Sequence, residues 1–195
     1  MTCRNSPISL GNIQQVIILS GIDRTMILEE MIASTIPLSG DMAEIGVWKG
    51  RTAAIIHRQA PSKTLHLYDT FAGIVMADSS IDVHGNGEFS DTSVEKVRAT
   101  VGPSQNIIFH VGIFPSTFKE HDRQFCFVFS DTDTYYGART TLETFSSRMV
   151  PGGKIAFHDY GWRGCPGIKK AVDEFLVGKS LTTFLNNQHF AITFP

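Results

Sequence analysis

Short apolar runs that alternate with helical patterns restrict the possible folds of this chain more than any other feature. Five runs come in sequence: 43–47 (AEIGV), 64–69 (TLHLYD), 107–111 (IIFHV), 125–130 (FCFVFS) and 154–159 (KIAFHD). Helical patterns follow at about 51–59, ending before Pro61, at 136–149, ended by Pro151-Gly152-Gly153, and at 167–176. Strands that alternate with helices predict a mainly parallel sheet covered on both sides. The tail, 182–185 and 190–194 around Asn186-Asn187-Gln188, reads as a closing hairpin. The expected class is therefore α/β: a mainly parallel seven-stranded sheet, helices on both faces, and a C-terminal antiparallel hairpin.

At 195 residues the chain fits one domain with a short appendage, and 42% hydrophobic against 18% charged residues is enough for a real core. The appendage is residues 1–40, where one or two weak helices are expected, the best at 24–33 before Pro37; the rest of the domain is 41–195. Residues 72–90 carry Gly73, Asp78, Ser79, Ser80, Asp82, His84, Gly85, Asn86 and Gly87 and predict a long irregular loop, usually a functional lid when it is ordered. Lys and Arg number 17 against 19 Asp and Glu, and the densest basic pair is Lys169-Lys170, so no nucleic-acid footprint is present. Cys3, Cys126 and Cys165 are too scattered for a disulfide framework; Cys126 reads as a small buried hydrophobe. The pure apolar run 16–19 is too short for a signal-peptide core, and no run approaches the roughly 20 residues that span a bilayer. The expectation is a soluble, cytoplasmic protein with no membrane partner.

In open α/β sheets ligands lie beyond the carboxyl ends of the strands, and the residues with chemical potential collect there. The first strand ends in an E-x-G-x-x-x-G turn, Glu44 to Gly50, that opens a helix. Its glycines either let a ligand approach the backbone or simply serve a strand-to-helix turn. Asp69 ends the second strand where it could accept hydrogen bonds from two ribose hydroxyls, of a nicotinamide cofactor or of S-adenosylmethionine alike, or could cap its own loop. Asp131 and Asp133 follow the fourth strand, suited to a divalent cation and a substrate proton, with one of them free to cap the next helix. His158 and Asp159 end the fifth strand, so adjacent tips would bring Asp131, His158 and Asp159 together as three metal-ligand candidates. No G-x-S-x-G elbow or G-x-x-x-x-G-K-[ST] loop is present. Cys165 either gains reactivity at a helix start near Pro166 or packs inertly.

Together the stretches AEIGVWKGRTA (43–53), LYDTFAG (67–73), GEFSDTS (87–93), SDTDTYYGARTTLETF (130–145), PGGKIAFHDYG (151–161) and CPGIKKAVDEF (165–175) resemble the macrocin O-methyltransferase type of class I S-adenosylmethionine-dependent methyltransferases. The resemblance implies a Rossmann-like fold and methyl transfer to a hydroxyl, in that family a sugar hydroxyl of a glycosylated natural product. It implies that Glu44, Gly46, Gly50 and Thr52 hold the methionine end of the donor, Asp69 the ribose, and Phe71, Gly112 and Ile113 the adenine. Asp131 would take the first metal position and Asp133 that of the general base. The family carries two aspartates before Tyr-Gly as further magnesium ligands; here His158 stands first, an imidazole better suited to zinc, iron or manganese, and Asp159 second. The implied cofactors are thus S-adenosylmethionine and a divalent metal, magnesium in the family. The loop at 72–90 becomes a lid, with His84, Glu88 and Phe89 facing the acceptor. The resemblance also implies a shortened substrate-enclosing N-terminal portion and pairing into a homo-oligomer.

Overall fold

In the computed structural model, which describes residues 16–18, 24–186 and 189–195, the apolar runs become strands of one sheet. Along the chain these are β1 (Val16–Ile18), β2 (Asp41–Ile45), β3 (Leu65–Asp69), β4 (Ile107–Val111), β5 (Phe125–Ser130), β6 (Met149–Phe157), β7 (Thr182–Asn186) and β8 (His189–Thr193). Their spatial order is β1-β7-β8-β6-β5-β2-β3-β4; β8 alone runs antiparallel to its neighbours. The seven expected strands are present, and β1 adds a short eighth strand at the edge. Cys3, the rest of residues 1–15, and Asn187 and Gln188 of the expected hairpin lie outside the described residues.

β5 is buried along its whole length and β2 from Met42 onward, which suits parallel strands covered on both sides. On one face lie α1 (Arg24–Ala33), α2 (Arg51–Gln59) and α3 (Val94–Val101), whose Ile32, Ile56 and Val97 pack with Phe127 and Phe129 of β5. On the other lie α4 (Tyr135–Phe145) and α5 (Pro166–Leu176), whose Phe145, Ile168 and Val172 meet Phe125 and Val128. Burying one such side chain is worth roughly 1.5–3 kcal/mol, so these two layers hold the sheet between them. Neighbouring β2 and β5 send their connections in opposite directions, β2 through α2 to β3 and β5 through α4 to β6. That reversal opens a crevice at their carboxyl ends.

Three elements depart from the sequence expectation. β1 is a strand, paired with β7, inside the 1–40 stretch expected to be helical. The helix expected over 136–149 stops at Phe145, turns through a 3-10 segment at Ser146–Arg148, and gives way to β6, which runs through Pro151-Gly152-Gly153. There the glycines act as a bulge rather than a helix stop: Gly152 has φ 80°, its N–H donates to Phe194 O (2.8 Å), and Gly153 O accepts from Phe194 N (2.9 Å). α3 has no counterpart among the sequence expectations, although its signals are present. Ser93 Oγ accepts from Lys96 N at its start, and Gly102 ends it. No helix among the described residues is long and apolar enough to cross a membrane.

Candidate active site

The strand tips are laced together by backbone bonds that continue the ladder past its end. Gly112 N donates to Asp69 O (2.9 Å), Gly46 N to Tyr68 O (3.0 Å), Asp131 N to Ile45 O (2.8 Å) and His158 N to Ser130 O (3.0 Å). Above them a cleft of about 340 Å³ is lined by Gly46, Asp69, Gly112, Asp131, Asp133, His158 and Asp159, all anticipated from sequence. Glu44, Gly50, Thr52, Phe71 and Ile113 are not among the lining residues.

Each of these five has a local reason. Glu44 is 1% exposed in β2, behind the glycine turn, and its Oε2 has no hydrogen-bond partner. Burial, reinforced by the charges of Asp131 and Asp69, holds its carboxyl well above the usual range. Gly50 caps α2 at φ 77°, where a Cβ would come within 2.8 Å of Val97 Cγ1, so helix packing demands glycine there. Thr52 is half-buried in the first turn of α2, Phe71 packs on Phe109 with ring centroids 6.3 Å apart, and Ile113 is exposed. Gly46 does line the cleft, but its φ is 81° and a Cβ there would lie 2.2 Å from Asp131 O. The need for glycine at 46 therefore comes from the β5 tip, not from a ligand.

Asp69 both caps a turn and faces the cleft. Its Oδ2 accepts from Val47 N (2.6 Å) and Trp48 N (2.8 Å), and its Oδ1 from Phe71 N (2.7 Å). A carboxylate has about four acceptor positions, so about one remains for a ligand hydroxyl rather than the two expected.

Asp131, His158 and Asp159 do converge, their ligand-type atoms lying within 4.8 Å of one another. His158 Nδ1 is 3.2 Å from Asp131 Oδ1 and 2.9 Å from Asp159 Oδ2, yet aligned for a hydrogen bond with neither. Burial by itself would lower the imidazole; the two carboxylates outweigh it and raise His158 to about 10. Asp159 is likewise pushed up by burial but held below its usual range by His158 and by Arg24, whose Nη2 is 2.5 Å from Asp159 Oδ1. The three residues fit a divalent ion of the manganese, iron or zinc kind, which would take the place of the proton that His158 holds between the two carboxylates. His189, with neither ring nitrogen hydrogen-bonded, lies beside His158 with ring centroids 5.1 Å apart; burial and the positive charges of His158 and Arg24 press it down to about 3.

Asp133 is raised to about 6, first by burial and then by Asp131, while Cys165 Sγ donates to its Oδ1 at 3.2 Å. Burial and Asp133 push the Cys165 thiol far up, so it is an inert donor rather than a nucleophile. Helix capping falls to Thr134, whose Oγ1 accepts from Gly137 N, so both aspartates are left for other work. Among the described residues, four of the six non-glycine residues with positive φ line the cleft: Trp48, Phe89, Asp133 and Asp159. Such conformations cost of order 1–3 kcal/mol each and concentrate at functional sites.

The 72–90 segment is irregular, as expected, but firmly seated. Ile74 N donates to Glu88 O and Gly87 N to Ile74 O, both at 2.8 Å. Asp82 is buried; its Oδ1 accepts from Tyr135 N (2.8 Å) at the start of α4, and a Cβ on Gly167 at the start of α5 would lie 2.1 Å from it. His84 and Phe89 line the cleft; Glu88 does not, because its carboxylate is used on His84 Nδ1 and Gly85 N (both 2.7 Å). Trp48, Trp162, Tyr136 and Phe114 complete an aromatic wall that sequence reasoning missed. Two of them flank motifs already noticed, Trp48 inside the glycine turn and Trp162 just past Asp159. Arg24 gave no signal, being 135 positions from its partner.

An open, mainly parallel sheet with a crevice at its switch point, walled by aromatic rings and carrying a few carboxylates, defines a ligand-binding α/β fold. Residues 43–160 match the methyltransferase-domain family Methyltransf_24, and the chain belongs to that family. No curated protein matches it. Among solved structures it is similar to the O-methyltransferase NovP (22% identity, TM-score 0.72) and to CalS11, a calicheamicin methyltransferase (17%, 0.73), covering in each case 87% of this chain and 78% of the other. It also resembles the O-methyltransferase TomG of Streptomyces achromogenes, involved in tomaymycin synthesis and solved with SAM (15%, 0.59; 90% and 82% covered). At these identities the likeness is one of fold, and the Rossmann-like class expected from the sequence stands.

Proposed function

We propose that the protein is an S-adenosylmethionine-dependent O-methyltransferase acting on a small-molecule hydroxyl, in the first instance that of a sugar on a glycosylated natural product, with divalent metal assistance. One observation carries this reading: the donor-side residues Gly46, Asp69 and Gly112 and the acid–base residues Asp131 and Asp133 face the same cleft. Family membership supports methyl transfer. CalS11, also described as a TDP-rhamnose 3'-O-methyltransferase, supports a sugar as acceptor, and the aromatic wall of Trp48, Phe89, Tyr136 and Trp162 gives a sugar ring apolar faces to lie against.

Methyl transfer from a sulfonium is an in-line displacement, and holding both reactants in line is worth about 7–11 kcal/mol in favourable cases. Asp69, through its remaining acceptor position, orients the donor's ribose end. Asp133, raised to about 6, is ionised near neutral pH yet basic enough to take the acceptor's proton on a carboxylate oxygen. Asp131, His158 and Asp159 would hold the ion, which supplies positive charge beside a developing alkoxide. The seated 72–90 segment, through His84 and Phe89, keeps water out.

Titration calorimetry with S-adenosylmethionine, S-adenosylhomocysteine and NAD, each with and without magnesium, manganese and zinc, tests the reading. Binding of the first two, weakened at least tenfold by Asp69→Ala, is expected. Binding of NAD alone would point to an oxidoreductase, and donor binding with no transfer to any of a panel of glycosylated acceptors to a non-catalytic protein.

A further inference from the structure

Away from the cleft, three ligand-type side chains meet on the flank of the sheet. His66 of β3 and His110 of β4 turn toward Glu120 in the connection between β4 and β5. His66 Nδ1 is 3.0 Å from His110 Nε2, and Glu120 Oε1 is 3.6 Å from the latter and 3.9 Å from the former. A tetrahedral ion at roughly 2.0–2.1 Å from each ligand sets ligand atoms about 3.3 Å apart, and these three separations bracket that value. None of the three residues lines the cleft.

The outer partners point the same way. His66 Nε2 lies 3.2 Å from Asp41 Oδ2, so it donates outward and leaves the Nδ1 lone pair facing the cluster. Glu120 Oε2 accepts from Tyr68 Oη (2.7 Å) and Lys119 N (2.8 Å), which fixes the carboxylate with Oε1 turned toward both imidazoles. Ring stacking holds the two histidines in place, His110 on Tyr68 at 4.2 Å and on His66 at 5.3 Å between centroids. His66 is 3% exposed at its side chain while His110 and Glu120 are 11% and 14% exposed, leaving a path for an ion and a water in the fourth position. Without an ion, His66 Nδ1 and His110 Nε2 share a hydrogen bond, while Glu120 Oε1 faces both nitrogens from beyond hydrogen-bond range, so the carboxylate oxygen is the atom the network leaves over.

We propose that His66 Nδ1, His110 Nε2 and Glu120 Oε1 form a second divalent-metal site, of the zinc type, with a fourth position open to water. The mixture of two imidazoles and one carboxylate selects zinc or cobalt over magnesium. His110 adopts its Nδ1-protonated tautomer when the ion is bound. The ion fastens the segment carrying Glu120 to β3 and β4, independently of the activity proposed above.

The experiment uses the full chain, stripped with chelator, in an Asp131→Asn/Asp159→Asn background that removes both carboxylates of the cleft set. Zinc and cobalt are added separately, with magnesium as control; bound metal is counted after gel filtration, melting is followed, and cobalt is read by its visible spectrum. One zinc or cobalt per chain, a raised melting temperature, a tetrahedral cobalt spectrum and no response to magnesium are expected. In the same background His110→Phe, which keeps the stack on Tyr68, and Glu120→Gln should each weaken zinc at least a hundredfold. Asp41→Asn should weaken it roughly tenfold to a hundredfold. Glu120→Gln, isosteric and partly exposed, decides the matter if His110→Phe fails to fold. Absence of retained zinc in the background protein, or retention unchanged by Glu120→Gln, overturns the proposal.

Discussion

At the tips of β5 and β6, Asp131, Asp133, His158 and Asp159 cluster, with Asp133 and Asp159 on backbone of positive φ; on the flank of β3 and β4, Asp41, His66, Tyr68, His110 and Glu120 stand on or beside regular strand. The flank cluster is nearly closed, with Tyr68 bonded to Glu120, His66 to Asp41 and His110, and its rings stacked, while Glu120 Oε1 stays beyond hydrogen-bond range of both imidazoles. The tip cluster is left open: Glu44 is buried without a partner for Oε2, Asp133 is pushed up, and His158 is pinned between two carboxylates. The same residue types thus serve two ends. Where they finish each other's hydrogen bonds they stiffen the sheet, and where they do not, unfavourable electrostatics are held ready for something else to relieve.

The comparison can be broken from either side. Asp133→Asn should lower kcat by roughly 10²–10⁴ with little change in melting temperature. Over the wild-type pH profile, kcat should fall as pH drops through about 6, because Asp133 must be ionised to accept a proton. Gly46→Ala, forcing a Cβ at φ 81° against Asp131 O, should cost more than about 3 kcal/mol in denaturant unfolding and carry donor binding down with it. On the flank, Glu120→Gln in metal-free protein should cost about 1–3 kcal/mol in stability and leave donor affinity in calorimetry unchanged. Glu44→Gln should instead raise stability, because it removes a buried carboxyl with an unpartnered oxygen. The folded protein keeps the Glu44 proton above its ordinary value of 4.5, where the unfolded chain has lost it, so this residue's contribution falls as pH rises. Calorimetric melting should therefore show Glu44→Gln gaining more over wild type at pH 8 than at pH 5. The smallest effect, about 1 kcal/mol, is expected for Asp82→Ala, read by unfolding.

Much of this was legible in the sequence because parallel strands write their burial plainly. FCFVFS is apolar end to end because β5 is covered on both faces, and its tip residues Asp131 and Asp133 could be placed from that alone. The Pro151-Gly152-Gly153 stretch misled because a bulge and a helix stop use the same residues, and only pairing with Phe194 separates them. Arg24 on Asp159, and His66 with His110 and Glu120, depend on contacts between distant segments that no local pattern records. Glu44 and Gly50 were legible as a motif, but the side-chain environment that gives each its role arises only in the folded layers.

Asp82 joins two parts of the molecule. Its carboxylate holds the 72–90 segment down by gripping the first amide of α4, and the turn just before that amide carries Asp133. A segment that lifted would take with it the acceptor of the first amide of α4, two residues from Asp133, so the cover of the cleft and the order of its candidate base are tied through one carboxylate.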